Sequence, residues 1–244
     1  MQYLIRSFGR GLFGVYAAVV FAAFVLSAAA LVAVAPRLST RRRVVQLAAA
    51  GMFRFTGTRL TVRGLSHIPA EPCIIVANHA SYLDGPILTA ILPPRFGFVI
   101  KREMTRVPFA HFLLRRIGSE FVERNDTHKS AADARRILQK ARARESLAFF
   151  PEGTFKQEPG LRRFHNGAFA AAIRGQVPVV PVVICGSRHM LSAGQALPRP
   201  GRLKIIIKPP LHPTPATSVS GLLEEARRSM LTDLDEPDLQ PPRT

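Results

Sequence analysis

A chain of 244 residues, 47% of them hydrophobic, is long enough for one sizeable α/β core and short for two domains. Its 34 Lys and Arg against 16 Asp and Glu give a formal net charge of +18, which points to polyanionic surroundings: nucleic acid, anionic lipid or phosphorylated substrates. Cys73 and Cys185 lie in or beside apolar runs, with no CxxC spacing and no cluster of metal ligands, so buried thiols in a reducing compartment are expected rather than zinc ligands.

From Gly11 to Pro36 the chain carries no charge. About 24 helical residues reach roughly 36 Å, enough to cross a hydrocarbon core of about 30 Å, and the same residues could equally form a hairpin in one leaflet. Arg6 and Arg10 before the run and Ala33-Val34-Ala35 within it resemble a signal peptide, but the apolar stretch exceeds the usual h-region, which favours a retained anchor. Arg37, Arg41, Arg42 and Arg43 outnumber Arg6 and Arg10, so the positive-inside rule places the following domain in the cytoplasm.

Beyond this basic collar, strands are expected at 59–64, 73–78, 96–101, 120–124, 147–150, 179–185 and 203–208. Helices are expected at 87–92, stopped by Pro93-Pro94, and at 105–117, 129–144, 168–174 and 222–234. Strands alternating with helices predict an α/β fold: a single mixed, largely parallel sheet flanked by helices, preceded by an N-terminal membrane helix or hairpin. The expected organisation is an anchor with its collar over 1–43, a catalytic domain over 44–234, and a polar, Pro-rich flexible tail over 235–244.

Two motif matches fail on context. Gly9-Arg10-Gly11-Leu12-Phe13-Gly14 fits GxGxxG, but no strand precedes it and an apolar run follows. Gly64-Leu65-Ser66-His67-Ile68 is a broken GxSxG without a strand-to-helix elbow. Asn78-His79-Ala80-Ser81-Tyr82-Leu83-Asp84 carries more. Five residues separate His79 from Asp84, about 140° apart on a helix and on opposite faces of a strand, so they meet only across a turn. Small Ala80 and Ser81 and the following Gly85-Pro86 make a strand-to-helix turn plausible there. An imidazole held by a carboxylate in one tautomer is what a general base drawing a proton from a hydroxyl requires. The plainer alternative has Asp84 capping the helix and His79 as an ordinary strand-end histidine.

Phe149-Phe150-Pro151-Glu152-Gly153-Thr154 leaves another apolar strand. It reads as a Pro-Glu-Gly turn, or as an acid, a glycine and a hydroxyl placed to hydrogen-bond a polyol head group. Gly118-Ser119-Glu120-Phe121-Val122-Glu123-Arg124 ends in a guanidinium whose fork could hold a phosphate.

These segments, in this order and followed by the Val-Pro-rich run 177–182, resemble the lysophosphatidate acyltransferase family of glycerolipid synthesis over about residues 60–210. The resemblance implies His79 as catalytic base and Asp84 as its orienting partner. It implies Glu152, Gly153 and Thr154 at the acceptor site, Arg124 on the acceptor phosphate, and Lys101 stabilising negative charge. It further implies a membrane enzyme whose partners are membrane lipids, a lysophospholipid acceptor, and acyl-CoA or acyl carrier protein as thioester donor, with no metal or other cofactor. One departure is visible: this family often has Arg then Ser after the Pro-Glu-Gly-Thr turn, where this chain has Phe155 and Lys156. That keeps a lyso-ornithine lipid or another lysolipid open as acceptor. A non-catalytic anionic-lipid binder is the alternative from another class; no RNP-like aromatic pattern supports nucleic acid.

Overall fold

The computed structural model describes residues 2–123 and 127–240. A seven-stranded sheet has the order β1-β7-β6-β2-β5-β3-β4. Its strands are β1 (Leu60–Arg63), β2 (Ile74–Ala77), β3 (Gly97–Lys101), β4 (Glu120–Val122), β5 (Leu147–Phe149), β6 (Val179–Cys185) and β7 (Leu203–Ile207). Every neighbouring pair is parallel except β6 with β7. The fold is the single mixed, largely parallel α/β sheet expected from the alternating pattern.

β2 is buried on both faces, as an uninterrupted apolar run in a parallel sheet should be. Ile74 and Val76 point into a core shared with α6 (Gly167–Gly175) and α8 (Val219–Leu231), to which Ile137 and Ala141 of α5 (Thr127–Arg142) also contribute. Ile75 and Ala77 point the other way, into a core with Phe53 of α2 (Leu38–Phe55) and Ile87 and Leu88 of α3 (Asp84–Ile91). Because β2 to β6 all run parallel, with β1 and β7 opposed to them, the C-terminal ends of those five strands share one edge, where loops of such sheets build ligand sites.

The apolar run lies in α1 (Gln2–Val34), which turns back antiparallel along α2. Phe21 meets Phe53 edge-on at 6.1 Å and Phe24 meets Phe55 at 5.4 Å, while the Tyr16 hydroxyl donates to the Phe55 carbonyl. Gly51 permits this approach: a Cβ there would sit 2.4 Å from the Phe24 ring. Buried Gly14, Ala17, Ala28 and Val32 recur on one face of α1. Phe8, Leu12, Val15, Val19, Leu26 and Val34 remain exposed on the other.

Two expected boundaries are corrected. The division at 43/44 falls inside α2, and the collar is partly structural: Arg42 donates to the carbonyls of Ile117 (2.9 Å) and Arg95 (2.6 Å), and Gln46 to that of Leu92 (2.7 Å). The flexible tail is not loose over its described part. Leu161 N–H donates to the Pro237 carbonyl and Leu239 N–H to that of Leu161, forming a short parallel bridge between Leu161 and Asp238. The Glu236 carboxylate accepts from Gly160 N–H (2.6 Å) and from Arg188 Nε (2.6 Å) and Nη2 (2.9 Å). Leu239 seats on Gly160, where a Cβ would lie 2.5 Å from the leucine Cγ. Polar, proline-rich composition suggested disorder, but this segment has waiting backbone and arginine partners.

Candidate active site

β2 ends at Ala77, and Asn78 prolongs its pairing with β6 through its side chain: Nδ2 donates to the Ile184 carbonyl (2.9 Å) and Oδ1 accepts from Ile184 N–H (2.7 Å). The chain then turns around one carboxylate oxygen. Asp84, the first residue of α3 and fully buried, accepts at Oδ2 from His79 Nδ1 (3.0 Å), Ala80 N–H (2.7 Å) and Ser81 N–H (2.8 Å). Ser81 Oγ donates to the Leu191 carbonyl and accepts from Leu83 N–H, tying the turn to α7 (Ser187–Leu191). Asp84 therefore both folds the strand-to-helix turn and pairs with the histidine, while its negative charge suits a helix N-terminus. With Nδ1–H donated to Asp84, the imidazole presents Nε2 as its basic nitrogen.

The ring is also clamped. Phe150 stacks on it at 4.2 Å and 17°, Phe155 tilts against it at 4.5 Å, and Tyr82 meets Phe155 edge-on at 4.9 Å. The His79 side chain is 19% exposed, so it sits in an apolar slot with limited access to water. Phe155 is the residue that stands where the family pattern often has arginine, and nothing in the spacing showed that it would touch the histidine.

Glu152 braces the same turn. Oε1 accepts from His79 N–H (2.7 Å) and Oε2 from Arg162 N–H (2.8 Å), so one carboxylate joins the loop after β2 to the loop after β5. Gly153 adopts φ +79°, a conformation that suits glycine, and its N–H closes the turn on the Phe150 carbonyl. Burial raises the Glu152 pKa to about 7, against the lowering effect of those two N–H donors. Arg227, 2% exposed, lies behind Arg162: Nη1 donates to the Arg162 carbonyl (2.6 Å), Nη2 to that of Leu161 (2.8 Å), and Nη2 also pairs with Asp238.

This brace carries a pH signature. Between about 4.5 and 7 the folded protein holds a proton on Glu152 that the unfolded chain has lost, so this group's contribution to stability falls as pH rises through that window. Glu152→Gln should flatten that part of the pH–stability curve measured by chemical denaturation. It should also slow turnover about tenfold, about 1.4 kcal/mol, since an amide has one acceptor oxygen for two N–H groups. An unchanged pH slope would show that Glu152 titrates normally.

The other residues singled out from sequence are less closely gathered. Thr154 is exposed beside the buried Gly153. Lys101 ends β3, two strands from β2, with Nζ 3.0 Å from Glu103 Oε1. Arg124 lies outside the described residues. Sequence reasoning missed the aromatic clamp, the Arg162 N–H and Arg227; the phenylalanines flanking the Pro-Glu-Gly-Thr turn were the only legible signal.

The fold is similar to that in the crystal structure of the 1-acyl-sn-glycerophosphate (LPA) acyltransferase PlsC from Thermotoga maritima, with a TM-score of 0.73, 23% identity and 93% of each chain covered. The acyltransferase family model matches residues 59–185, the stretch that contains His79, Asp84 and Glu152. The chain belongs to the acyltransferase family. Relatives include 1-acyl-sn-glycerol-3-phosphate acyltransferase alpha of Mus musculus, 30% identical over 181 residues covering 72% of this chain and 64% of that protein. The chloroplastic 1-acyl-sn-glycerol-3-phosphate acyltransferase LPAT1 of Arabidopsis thaliana is 27% identical over 180 residues covering 72% and 49%. The aligned part thus spans about half to two thirds of these relatives' length.

Proposed function

We propose that the protein transfers a fatty acyl group from acyl-CoA or acyl carrier protein to the free hydroxyl of lysophosphatidate, giving phosphatidate for phospholipid synthesis. The observation that carries this reading is the His79 Nδ1 to Asp84 Oδ2 bond inside the family-matched turn. His79 Nε2 takes the proton as the hydroxyl oxygen attacks the thioester carbon. Collapse of the tetrahedral intermediate breaks the carbon–sulfur bond, and the departing thiolate recovers the proton from the imidazolium. Lys101 or backbone N–H groups stabilise the oxyanion, and the Glu152-Gly153-Thr154 turn lies against the acceptor. No protein nucleophile is required.

The membrane is where the acceptor resides. Among the described residues, Phe8–Val34 is the one helix long and apolar enough to cross a bilayer. Yet Gly14, in the first half of α1, packs on Leu197, and Arg116 donates to the Val32 and Ala33 carbonyls at the C-terminal end of the helix. A helix held at two separated points by one domain would lie along the membrane, its exposed stripe in lipid, with the catalytic face on the cytoplasmic leaflet.

Phe155 against His79 favours, as a second reading, an acceptor whose head group lacks phosphate, such as a lyso-ornithine lipid. Reconstituted protein given a panel of lysolipids and both donor types, with products identified by mass, decides between them. For a lysophosphatidate enzyme, Arg124→Ala should raise the acceptor KM strongly and the donor KM little, Arg124→Lys should rescue in part, and the penalty should shrink with an acceptor lacking phosphate. Equal losses with both acceptors would remove Arg124 as the phosphate ligand.

A further inference from the structure

We infer that the edge formed by Met104, Val107, Phe109 and Phe112 is a second bilayer-contacting surface, inserted among anionic lipids beside the active-site edge of the sheet. The inference rests on the membrane reading above and adds an element separate from α1.

Lys101 ends β3 at the edge of the sheet where β2 delivers His79. A 3₁₀ turn, Arg102–Arg106, leads from there to α4 (Pro108–Arg116), whose first position is a proline. Along this short path the apolar side chains face outward: Met104, Val107, Phe109 and Phe112 are 37%, 48%, 61% and 39% exposed. Four such residues together are unusual on a surface that meets only water.

Two observations commit the occupant to lipid. The first is continuity with α1. At 100° per residue, Phe109, Phe112, Leu113 and Arg116 fall within an arc of roughly 100° on α4. Leu113 clusters with Ala28 and Val32 of α1, and Arg116 donates to the Val32 and Ala33 carbonyls. The two phenylalanines therefore prolong the side of α4 that already rests on the apolar helix. The second is charge. Arg106 and Arg115 are exposed among these side chains, with Arg102 beside them paired to Glu123 and Asp133, the pattern of an interfacial segment whose apolar groups enter the acyl region while its outer cations meet lipid phosphates. Insertion here would bring the sheet edge that bears His79 down to the depth of a lysolipid hydroxyl.

The protein contains no tryptophan, so Phe109→Trp and Phe112→Trp each give a single fluorescent reporter in the full chain. Ala216→Trp, in the exposed loop ahead of α8, is the control. With protein bound to phosphatidylglycerol vesicles, emission at 109 and 112 should shift to the blue. Lipids brominated about 5–10 Å below the head groups should quench it about twofold or more, with little quenching at 216. No quenching at 109 and 112 in vesicle-bound protein, or equal quenching at all three positions, overturns the inference. So would a signal that ignores lipid but responds to added acyl carrier protein, since the surface would then receive a protein donor. Acyl transfer is assayed on the same samples: quenching without transfer would retain this surface and remove the enzymatic reading, and transfer without quenching would do the reverse.

Discussion

His79→Ala is expected to leave a folded protein that transfers acyl groups about 10²-fold more slowly or worse, the usual contribution of a general base being 10²–10⁴. The turn should survive because Asp84 keeps two of its three donors, Ala80 N–H and Ser81 N–H, and because Glu152 binds the backbone N–H of residue 79 rather than its ring. The loss is then chemical: no imidazole remains between Phe150 and Phe155 to take the hydroxyl proton. Asp84→Asn should also slow the reaction, since a neutral amide can hold the ring without stabilising its protonated form. The check is a rate measurement beside a circular dichroism melt. Turnover close to that of the parent in a folded His79→Ala protein would dismiss His79 as the base.

Arg227→Met should cost about 3 kcal/mol of stability, because the Arg162 carbonyl loses its arginine donor, the Leu161 carbonyl keeps only Leu239 N–H, and Asp238 loses its cation, with lost partners of this kind worth about 1–3 kcal/mol each when buried. For a domain of this size that corresponds to a fall in Tm of roughly 6–12 °C. Methionine roughly fills the volume and can still lie on Phe164, whose ring the guanidinium covers at 5.1 Å, so the penalty isolates lost hydrogen bonds and the ion pair with Asp238. Activity measured well below Tm should fall as well, since Arg162 N–H is one of the two donors that hold Glu152. A melting curve superimposable on the parent's would show that these carbonyls find other partners.

The sheet was largely legible because its strands are dense apolar runs; Ile74–Ala77 and Val179–Cys185 need no tertiary knowledge to recognise. The meeting of His79 and Asp84 was also foreseeable, since five residues with a small-residue turn leave few other geometries. What stayed hidden depends on partners distant in sequence. α2 looked like a charged collar because three consecutive arginines mask its buried Ala49, Met52 and Phe53, and because Arg42 finds carbonyls that no local pattern announces. Arg227 reads as one more cation on an amphipathic helix. Glu236 and Asp238 read as solubilising charge, and only the folded loop at 156–162 shows what they hold.

That clasp gives the site an order of assembly. Residues 236–239 leave the ribosome after His79, Asp84, Glu152, Arg162 and Arg227 have all been made. A nascent chain therefore carries every motif residue well before residues 236–239 can settle on Leu161, and the long span between partners makes this a late, non-local closure. Translation halted just before Glu236 would release a polypeptide with every recognisable motif but without its last fastening.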